Sequence, residues 1–279
     1  MFLGYNTNGF AHHRLEDAIE VIAELGYGGV AMTLDVHHLN PFMGLELAKR
    51  VGFVGRILDA RKMMCGIETG ARFILDSWEK HQPTLISADP EDRECRLAFL
   101  EECIGISAAL HGDCVSFWSG TPSDEATPRV LMLRLVDGCR RLADVAASKN
   151  IRLAFEPEPG MFIDTMDKFA ELHARVNHPA FGLTIDVGHL VCNGELPVSK
   201  HLKAWKHVLW NVHIEDMKRG VHDHIMFGEG EVDFADVFAG LREAEYAGGV
   251  YVELSRHSHD AVNTARKAKA FLDPFLQGV

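Results

Sequence analysis

Short apolar runs alternate with longer amphipathic segments along the whole 279-residue sequence. The apolar runs recur at intervals of about 30–35 residues, which is the length of one strand–helix unit. Each run has the length of a buried strand, and a segment with helical spacing of its apolar positions follows it. The pattern predicts eight strands, at residues 2–6, 29–34, 63–68, 114–119, 151–156, 181–186, 208–214 and 249–254.

The segments between the predicted strands carry the apolar spacing of amphipathic helices. The clearest of them lie at residues 15–23, 131–146, 237–244 and 261–271. Glycines are expected to end the first of these helices at Gly26 and the third at Gly248-Gly249. Eight strands that alternate with eight helices predict an α/β fold, a single (β/α)8 TIM barrel, with residues 1–279 forming one domain.

An open, doubly wound sheet is the alternative architecture. It is disfavoured because no glycine-rich phosphate loop follows the first predicted strand. Polar residues also end at least four of the predicted strands, whereas a doubly wound sheet gathers its site at one switch point. In a barrel, the carboxyl ends of all strands meet at one mouth, where the active site lies.

One connection departs from the regular alternation. Residues 69–91 form a long segment between a predicted strand and the next helix, and they include Arg72, Trp78 and His81. Connections of this length in a compact barrel are often lids or binding loops. A surface excursion that packs on itself is the alternative interpretation.

Four successive predicted strands end in residues whose side chains are of the types that commonly bind metal ions. These are Glu156, Asp186, His213 and Glu253, each of which follows a run of three apolar or uncharged residues. If the strands are parallel neighbours in one barrel, three carboxylates and one imidazole converge at the mouth. Such a set predicts a divalent metal site. Glu158 competes with Glu156 as a ligand because two residues on in an extended segment a side chain keeps the same facing.

Histidines define a second candidate site. His222 and His224 alternate in an extended segment after the seventh predicted strand, so their side chains share one side. Gly188 permits a tight turn that could bring Asp186 and His189 over the same mouth. Three imidazoles, from His189, His222 and His224, could hold a second ion, zinc, with open coordination positions. The alternative is that they bind substrate hydroxyls or hydrogen-bond to the ligands of the first ion.

Composition excludes some classes of function. The formal net charge is −12, which disfavours binding to nucleic acid or to an anionic membrane surface. A small anionic substrate held by a metal and a few arginines stays open. The six cysteines form no C-x-x-C pair, as expected for reduced thiols in the cytoplasm. Neither a signal peptide nor an apolar run of about 20 residues is found, so a cytoplasmic protein is predicted.

The chain resembles the xylose-isomerase-like TIM-barrel superfamily, which includes sugar isomerases, sugar epimerases and the apurinic endonuclease branch. The resemblance covers nearly the whole chain, and its most specific segments are Asp186-Val187-Gly188-His189, His213-Ile214-Glu215-Asp216 and Phe227-Gly228-Glu229-Gly230. It implies that Glu156, Asp186, His213 and Glu253 hold the metal. Dimers or tetramers are common in that family, which implies a homo-oligomer.

The sequence departs from the endonuclease branch at two strand ends. That branch has metal-binding histidines after its third and fourth strands, where this chain has Ile67-Glu68-Thr69 and Ser116-Phe117-Trp118. A three-metal DNA-repair site is therefore not expected, in agreement with the acidic charge. His222 replaces an aspartate of the endonuclease branch, which makes its assignment as a ligand less direct.

The leading hypothesis is a divalent-metal-dependent isomerase or epimerase that acts on a sugar or sugar-like polyol through a metal-bound enediolate. Glu156 and Glu253 are expected to move the proton. The expected substrate-binding residues are Glu68 and Arg72 at the distal end, Trp118 against the sugar face, and His189 and Arg256 at the hydroxyls. The ion could be Mn²⁺, Mg²⁺, Co²⁺ or Zn²⁺. The alternatives are a two-metal hydrolase or lyase and a non-catalytic sugar-binding barrel.

Overall fold

Eight parallel strands close on themselves in the computed structural model, which describes residues 1–276. Around the barrel, the order is β1, β10, β7, β6, β5, β4, β3 and β2, and β8 pairs with β9 outside it. The strands are β1 (Phe2–Asn6), β2 (Gly29–Thr33), β3 (Met64–Glu68), β4 (Cys114–Phe117), β5 (Arg152–Phe155), β6 (Phe181–Asp186), β7 (Leu209–Ile214), β8 (Asp216–Lys218), β9 (Val221–Ile225) and β10 (Gly249–Val252). The predicted (β/α)8 barrel is confirmed, and the open sheet is excluded.

Helices cover the outside of the barrel between successive strands. They are α1 (Leu15–Glu24), α2 (Leu47–Arg61), α3 (Pro90–Ala109), α4 (Pro128–Ser148), α5 (Met166–Val176), α6 (Val187–Asn193), α7 (Val198–Ala204), α8 (Phe234–Glu243) and α9 (Ala261–Leu276). Short 3-10 turns lie at Thr7–Phe10, Gly44–Glu46 and Ser255–Asp260. No helix within residues 1–276 is both long and apolar enough to cross a membrane.

Local signals explain where the helices begin and end. In α1, Leu15, Ile19 and Ile22 lie on one buried stripe. The carboxylates of the first turn interact favourably with the positive N-terminal end of the helix dipole. Helix α8 ends at Glu243, five residues before the predicted stop at Gly248-Gly249. Glu245 takes the left-handed conformation (φ 57°) that was expected of a glycine, so the prediction of this helix end was wrong.

Strand register sets the predicted ligand residues at one level of the barrel. Asp186 at the end of β6 is the register partner of His213 on β7. The Glu156 amide donates to Phe117 O at 2.8 Å, and the Glu253 amide donates to Ile214 O at 3.1 Å. Both glutamates therefore extend the hydrogen bonding of the barrel by one residue beyond the strands that precede them.

The β8–β9 hairpin is an addition to the regular strand–helix alternation. It follows β7 and carries His222 and His224 on β9. Its antiparallel pairing aligns Asp216 with Ile225 and Lys218 with Val221. The hairpin lies over the mouth of the barrel, near the ends of β6 and β10, because His222 contacts His189 and His224 contacts Glu253.

Close packing inside the barrel predicts opposite effects for two glycine substitutions. A Cβ at Gly4 of β1 would lie 2.3 Å from the Tyr251 ring, whereas a Cβ at Gly105 of α3 meets no atom within 4 Å. Gly4→Ala should therefore lower the free energy of unfolding by about 1–3 kcal/mol, because the core is overpacked. Gly105→Ala should raise it by about 0.5–1 kcal/mol, because alanine favours the helix. Urea denaturation measures both, and a Gly4→Ala variant as stable as the parent would contradict the packing argument.

Candidate metal centre and active site

Four side chains from four strands meet on the floor of the barrel mouth. Glu156 Oε1 lies 3.1 Å from His213 Nδ1, and Glu253 Oε2 lies 3.0 Å from the same nitrogen. Together with Asp186, they offer three carboxylate oxygens and one ring nitrogen, all within 4.8 Å of one another. The structure thus brings together the four residues that the sequence singled out.

Hydrogen bonds on the Nε2 side fix the orientation of the His213 imidazole. Its Nε2 donates to Glu68 Oε1 at 2.9 Å, and the Asn211 amide donates to the same oxygen at 3.3 Å. This leaves Nδ1 facing Glu156 and Glu253. A ring nitrogen that donates to a carboxylate while the other faces a cluster of ligands is the usual arrangement around protein-bound metals. Glu68 lines the cavity, as predicted for a substrate contact, but one of its oxygens orients His213.

Burial makes the charge on this floor difficult to accommodate. It raises the pKa of Glu156 to about 8, although His213 acts in the opposite direction. Burial also opposes the ionisation of Glu253, but the neighbouring His213 outweighs it, and the pKa of Glu253 falls well below its ordinary value. Burial acts against the charged imidazole of His213, yet Glu68, Glu156 and Glu253 raise its pKa well above the usual range.

Asp186 shows most directly that a cation fits here. Its Oδ1 accepts the His189 amide at 2.8 Å and so caps α6. Its Oδ2 is buried without a hydrogen-bond partner among the described residues. A buried, unpaired carboxylate oxygen is costly, and a divalent cation between Asp186, Glu156, His213 and Glu253 would relieve that cost. Glu158 lines the cavity but is not part of this cluster.

The three predicted histidines also meet. His189 Nε2 lies 3.0 Å from His222 Nε2, and one nitrogen from each of His189, His222 and His224 falls within 4.8 Å of the others. His189 Nδ1 lies 3.2 Å from Pro157 O, so donation to this carbonyl leaves Nε2 free as an acceptor. Burial lowers the pKa of His189 to about 4, which keeps the ring neutral. Neutral imidazoles oriented in this way suit zinc.

Asp216 anchors the hairpin that carries two of these histidines, a role that the sequence did not reveal. Its carboxylate is buried and accepts four backbone amides, from Met217, Gly228, Gly230 and Val232, at 2.8–3.1 Å. A Cβ at Gly230 would lie 2.2 Å from Asp216 Oδ1. The Phe227–Gly230 segment is therefore glycine-rich because its backbone wraps around a carboxylate.

Glu215 is another buried acid that the sequence did not single out. Its Oε1 accepts the Gly188 amide at 3.1 Å, and its Oε2 has no partner among the described residues. A Cβ at Gly188 would lie 2.0 Å from Glu215 Oε1. Gly188 lies inside α6, so the expected tight turn was wrong, and this glycine makes room for Glu215 instead. Glu215, Asp186 and His224 form a third group whose ligand atoms lie within 4.8 Å of one another.

The remaining predicted substrate-binding residues line one cavity of about 680 Å³ above the candidate metal centre. Trp118 forms part of its wall and is braced by the Arg96 guanidinium, 4.5 Å from the indole centroid. Arg72 pairs with Asp35 at 3.2 Å, and Arg256 pairs with Asp223 at 2.6 Å. The long connection after β3 runs over residues 69–89 and contributes Arg72 to the wall.

The fold and this cluster of carboxylates and imidazoles define a TIM barrel with a candidate divalent-metal centre at its mouth. The family model described as the xylose isomerase-like TIM barrel matches residues 19–275. The chain belongs to this family, which confirms the resemblance inferred from the sequence.

Among curated proteins, the chain is similar to sugar-metabolising enzymes. An L-ribulose-5-phosphate 3-epimerase of Salmonella paratyphi C is 31% identical over 121 residues, which are 43% of this chain and 42% of that protein. An inosose dehydratase of Geobacillus thermodenitrificans is 31% identical over 135 residues, which are 43% of this chain and 45% of that protein. The chain thus matches less than half the length of these relatives.

Solved structures show the same fold over the whole chain. D-allulose 3-epimerase from Methylomonas sp., in complex with D-allulose, has a TM-score of 0.79 at 22% identity, covering 98% of this chain and 96% of that one. The IolI protein with a bound zinc atom has a TM-score of 0.78 at 16% identity, covering 100% and 99%. At these identities, the likeness is one of fold.

Substitution of the central ligands should remove the metal. Glu156→Gln or Asp186→Asn each takes one charged ligand from the cluster, so most of the bound divalent ion should be lost from the purified protein. Elemental analysis after equilibration with Mn²⁺ or Zn²⁺ measures the content. Glu158→Gln, which changes a cavity carboxylate outside the cluster, should keep it. Stoichiometric metal in both ligand variants would refute the assignment.

Alanine substitutions decide whether the three-histidine group holds a separate ion. If it does, replacing His189, His222 or His224 with alanine should lower the metal content by about one ion per chain and leave the central ion in place. His259→Ala, at the rim of the same cavity, is the matched control and should keep the full content. If all three variants retain the parental content, these imidazoles contact substrate or other ligands instead.

Proposed function

We propose that this protein is a divalent-metal-dependent isomerase or epimerase of a sugar or sugar-like polyol. The observation that carries the proposal is the position of Glu156 and Glu253. They approach the same His213 nitrogen, at 3.1 and 3.0 Å, and both line the cavity. The epimerases among the relatives and among the solved structures of the same fold support this choice.

The central residues have separate tasks in this proposal. A divalent ion held by Glu156, Asp186, His213 and Glu253 would supply Lewis-acid polarisation of the substrate carbonyl. Glu253 follows β10, on one side of β7, and Glu156 follows β5, on the other side of it. Two carboxylates placed in this way can take a proton from a carbon next to the carbonyl and return one to the same or the adjacent carbon. The Asn8 amide, 2.7 Å from Glu253 Oε1, fixes the orientation of that carboxylate.

The cavity supplies contacts suited to a polyol. Its volume of about 680 Å³ falls in the range of small-molecule sites. Trp118 provides an apolar wall for a sugar face, while His189 offers an acceptor and Arg256 offers donors for hydroxyls. Carboxylates at the floor and hydrogen-bonding side chains around it form a site that orients a hydroxylated carbon chain above the proton-transfer groups.

Two-metal hydrolase or lyase chemistry is the second candidate. It is favoured by the separate His189, His222 and His224 group, whose three imidazoles suit an additional zinc ion. The inosose dehydratase among the relatives also represents a lyase. The number of bound ions separates the two, because one ion favours proton transfer and two ions about 3–4 Å apart favour hydrolysis. A binding protein without catalysis is disfavoured, since both Glu156 and Glu253 face the cavity.

Solvent exchange tests the proposed reaction. In deuterated water, with a panel of ketoses, aldoses and inososes, the enzyme should place deuterium on the carbon next to the carbonyl of its substrate. Glu253→Gln should lower kcat by about 10²-fold or more, the usual effect of losing a general acid–base group. Nuclear magnetic resonance of the products measures the label, and the metal content of the variant is determined in parallel.

A surface acid provides the control for this test. Glu171→Gln removes a carboxylate from the exposed side of α5 and should leave the rate and the labelling unchanged. Turnover without solvent label and without internal transfer of a substrate hydrogen, accompanied by incorporation of water into the product, would reject the isomerase. The hydrolase would then replace it.

A further inference from the structure

The first part of the loop after β3 folds back on itself and contributes two cationic side chains to one cavity. The Arg72 amide donates to Gly70 O at 2.6 Å, and the His81 amide donates to Arg72 O at 2.6 Å. The His81 ring also hydrogen-bonds to Gly70 O. Lys80 precedes His81, whose amide is bonded to Arg72, and the side chains of Arg72 and Lys80 both line the cavity.

The backbone of this loop is held in an unfavourable conformation. Ala71, Arg72 and His81 have φ values of 59°, 45° and 71°, in the left-handed region that residues with a Cβ rarely occupy. Non-glycine residues in this region are strained, and such positions concentrate at functional sites. Since the His81 ring packs edge-on against Trp118, with centroids 5.2 Å apart, the loop is fixed against the cavity wall.

Both cations are available to a ligand. Arg72 pairs with Asp35, whose side chain is only 5% exposed and does not line the cavity, whereas Arg72 itself does. Lys80 makes no ion pair within 4.0 Å among residues 1–276 and is exposed at the rim. Asp35 is the one ion-pair partner of these two side chains among residues 1–276, although Glu158, which lines the same cavity, interacts electrostatically with Lys80.

The barrel order separates this positive wall from the acidic floor. Arg72 and Lys80 follow β3, which also supplies Glu68 to the back of the floor, whereas the candidate ligands Glu156, Asp186 and His213 lie at the ends of β5, β6 and β7. In a chain with a net charge of −12, long-range repulsion opposes anionic ligands, so an anion needs a local positive site. The cavity therefore has a negative floor that suits a cation and a positive wall that suits an anion.

We propose that Arg72 and Lys80 form an anion subsite for a phosphate or carboxylate at the end of the substrate that does not react. Arginine binds both groups with a planar pair of donors, and lysine adds a point charge. The substrate class is then an anionic sugar, meaning a sugar phosphate or a sugar acid. The proposal rests on the proposed function for the identity of the substrate as a sugar, but the subsite itself is defined by binding.

Calorimetric titration of the metal-loaded protein tests the subsite without relying on turnover. The probes are ribulose against ribulose 5-phosphate, and glucose against glucuronate. At least one anionic probe should bind about tenfold or more tightly than its neutral partner, the effect of one or two charge-assisted contacts. The pair with the larger difference identifies phosphate or carboxylate as the group that is recognised.

Variants assign the difference to these two residues. The double variant Arg72→Met, Lys80→Met should bind the charged and neutral probes equally, and Arg72→Lys should restore part of the preference. Arg175→Met is the matched control, because it removes an arginine that pairs with an acid on the outer helix α5. It should keep the full preference.

The outcomes separate this subsite from the proposed reaction. Equal binding of charged and neutral probes by the parent protein, or an unchanged preference in the double variant, overturns the subsite. A preference that the double variant loses supports it, whether or not the probe is isomerised. Absence of solvent exchange in any substrate then counts against the isomerase alone.

Discussion

The concentration of carboxylates around one buried imidazole is the constraint on which the rest of the site depends. His213 lies between Glu68 on one side and Glu156 and Glu253 on the other, and all four are largely removed from water. Acids packed this closely repel one another unless positive charge is placed among them. Asp186 adds a further carboxylate, one oxygen of which has no hydrogen-bond partner among the described residues. A divalent cation would resolve this conflict, and the surrounding hydrogen bonds would keep the ligands in place for it.

Much of the fold and the centre of the site could be predicted from the sequence. The alternation of strands and helices is a local pattern that the sequence carries directly. Because the ends of the apolar runs lie at the barrel mouth, the sequence identified four candidate ligands as one set: Glu156, Asp186, His213 and Glu253. Their types also match the ligands of the family that the chain resembles. The alternation of histidines likewise predicted that the side chains of His222 and His224 lie on the same side of their extended segment.

Other features depend on contacts between residues whose separation in sequence hides their relation. Nothing in the local pattern shows that Gly188 must lack a side chain because Glu215, 27 positions later, occupies that space. The role of Asp216 and the presence of Arg72 and Lys80 in one cavity are hidden for the same reason. The end of α8 was misplaced because Glu245 adopted a conformation that local propensity assigns to glycine.

The anchoring of the β8–β9 hairpin has a consequence for how this barrel can change over evolutionary time. One carboxylate, that of Asp216, gathers four amides and so fixes both ends of the insertion to the end of β7. Residues 218–226 therefore lie between two backbone attachment points that Asp216 sets, in addition to the contacts that their own side chains make at the mouth. New imidazoles, acids or donors can be presented to the mouth by altering that segment alone, while the apolar strands beneath keep their packing. The structural stability of the barrel and the chemistry of its mouth are thereby separated.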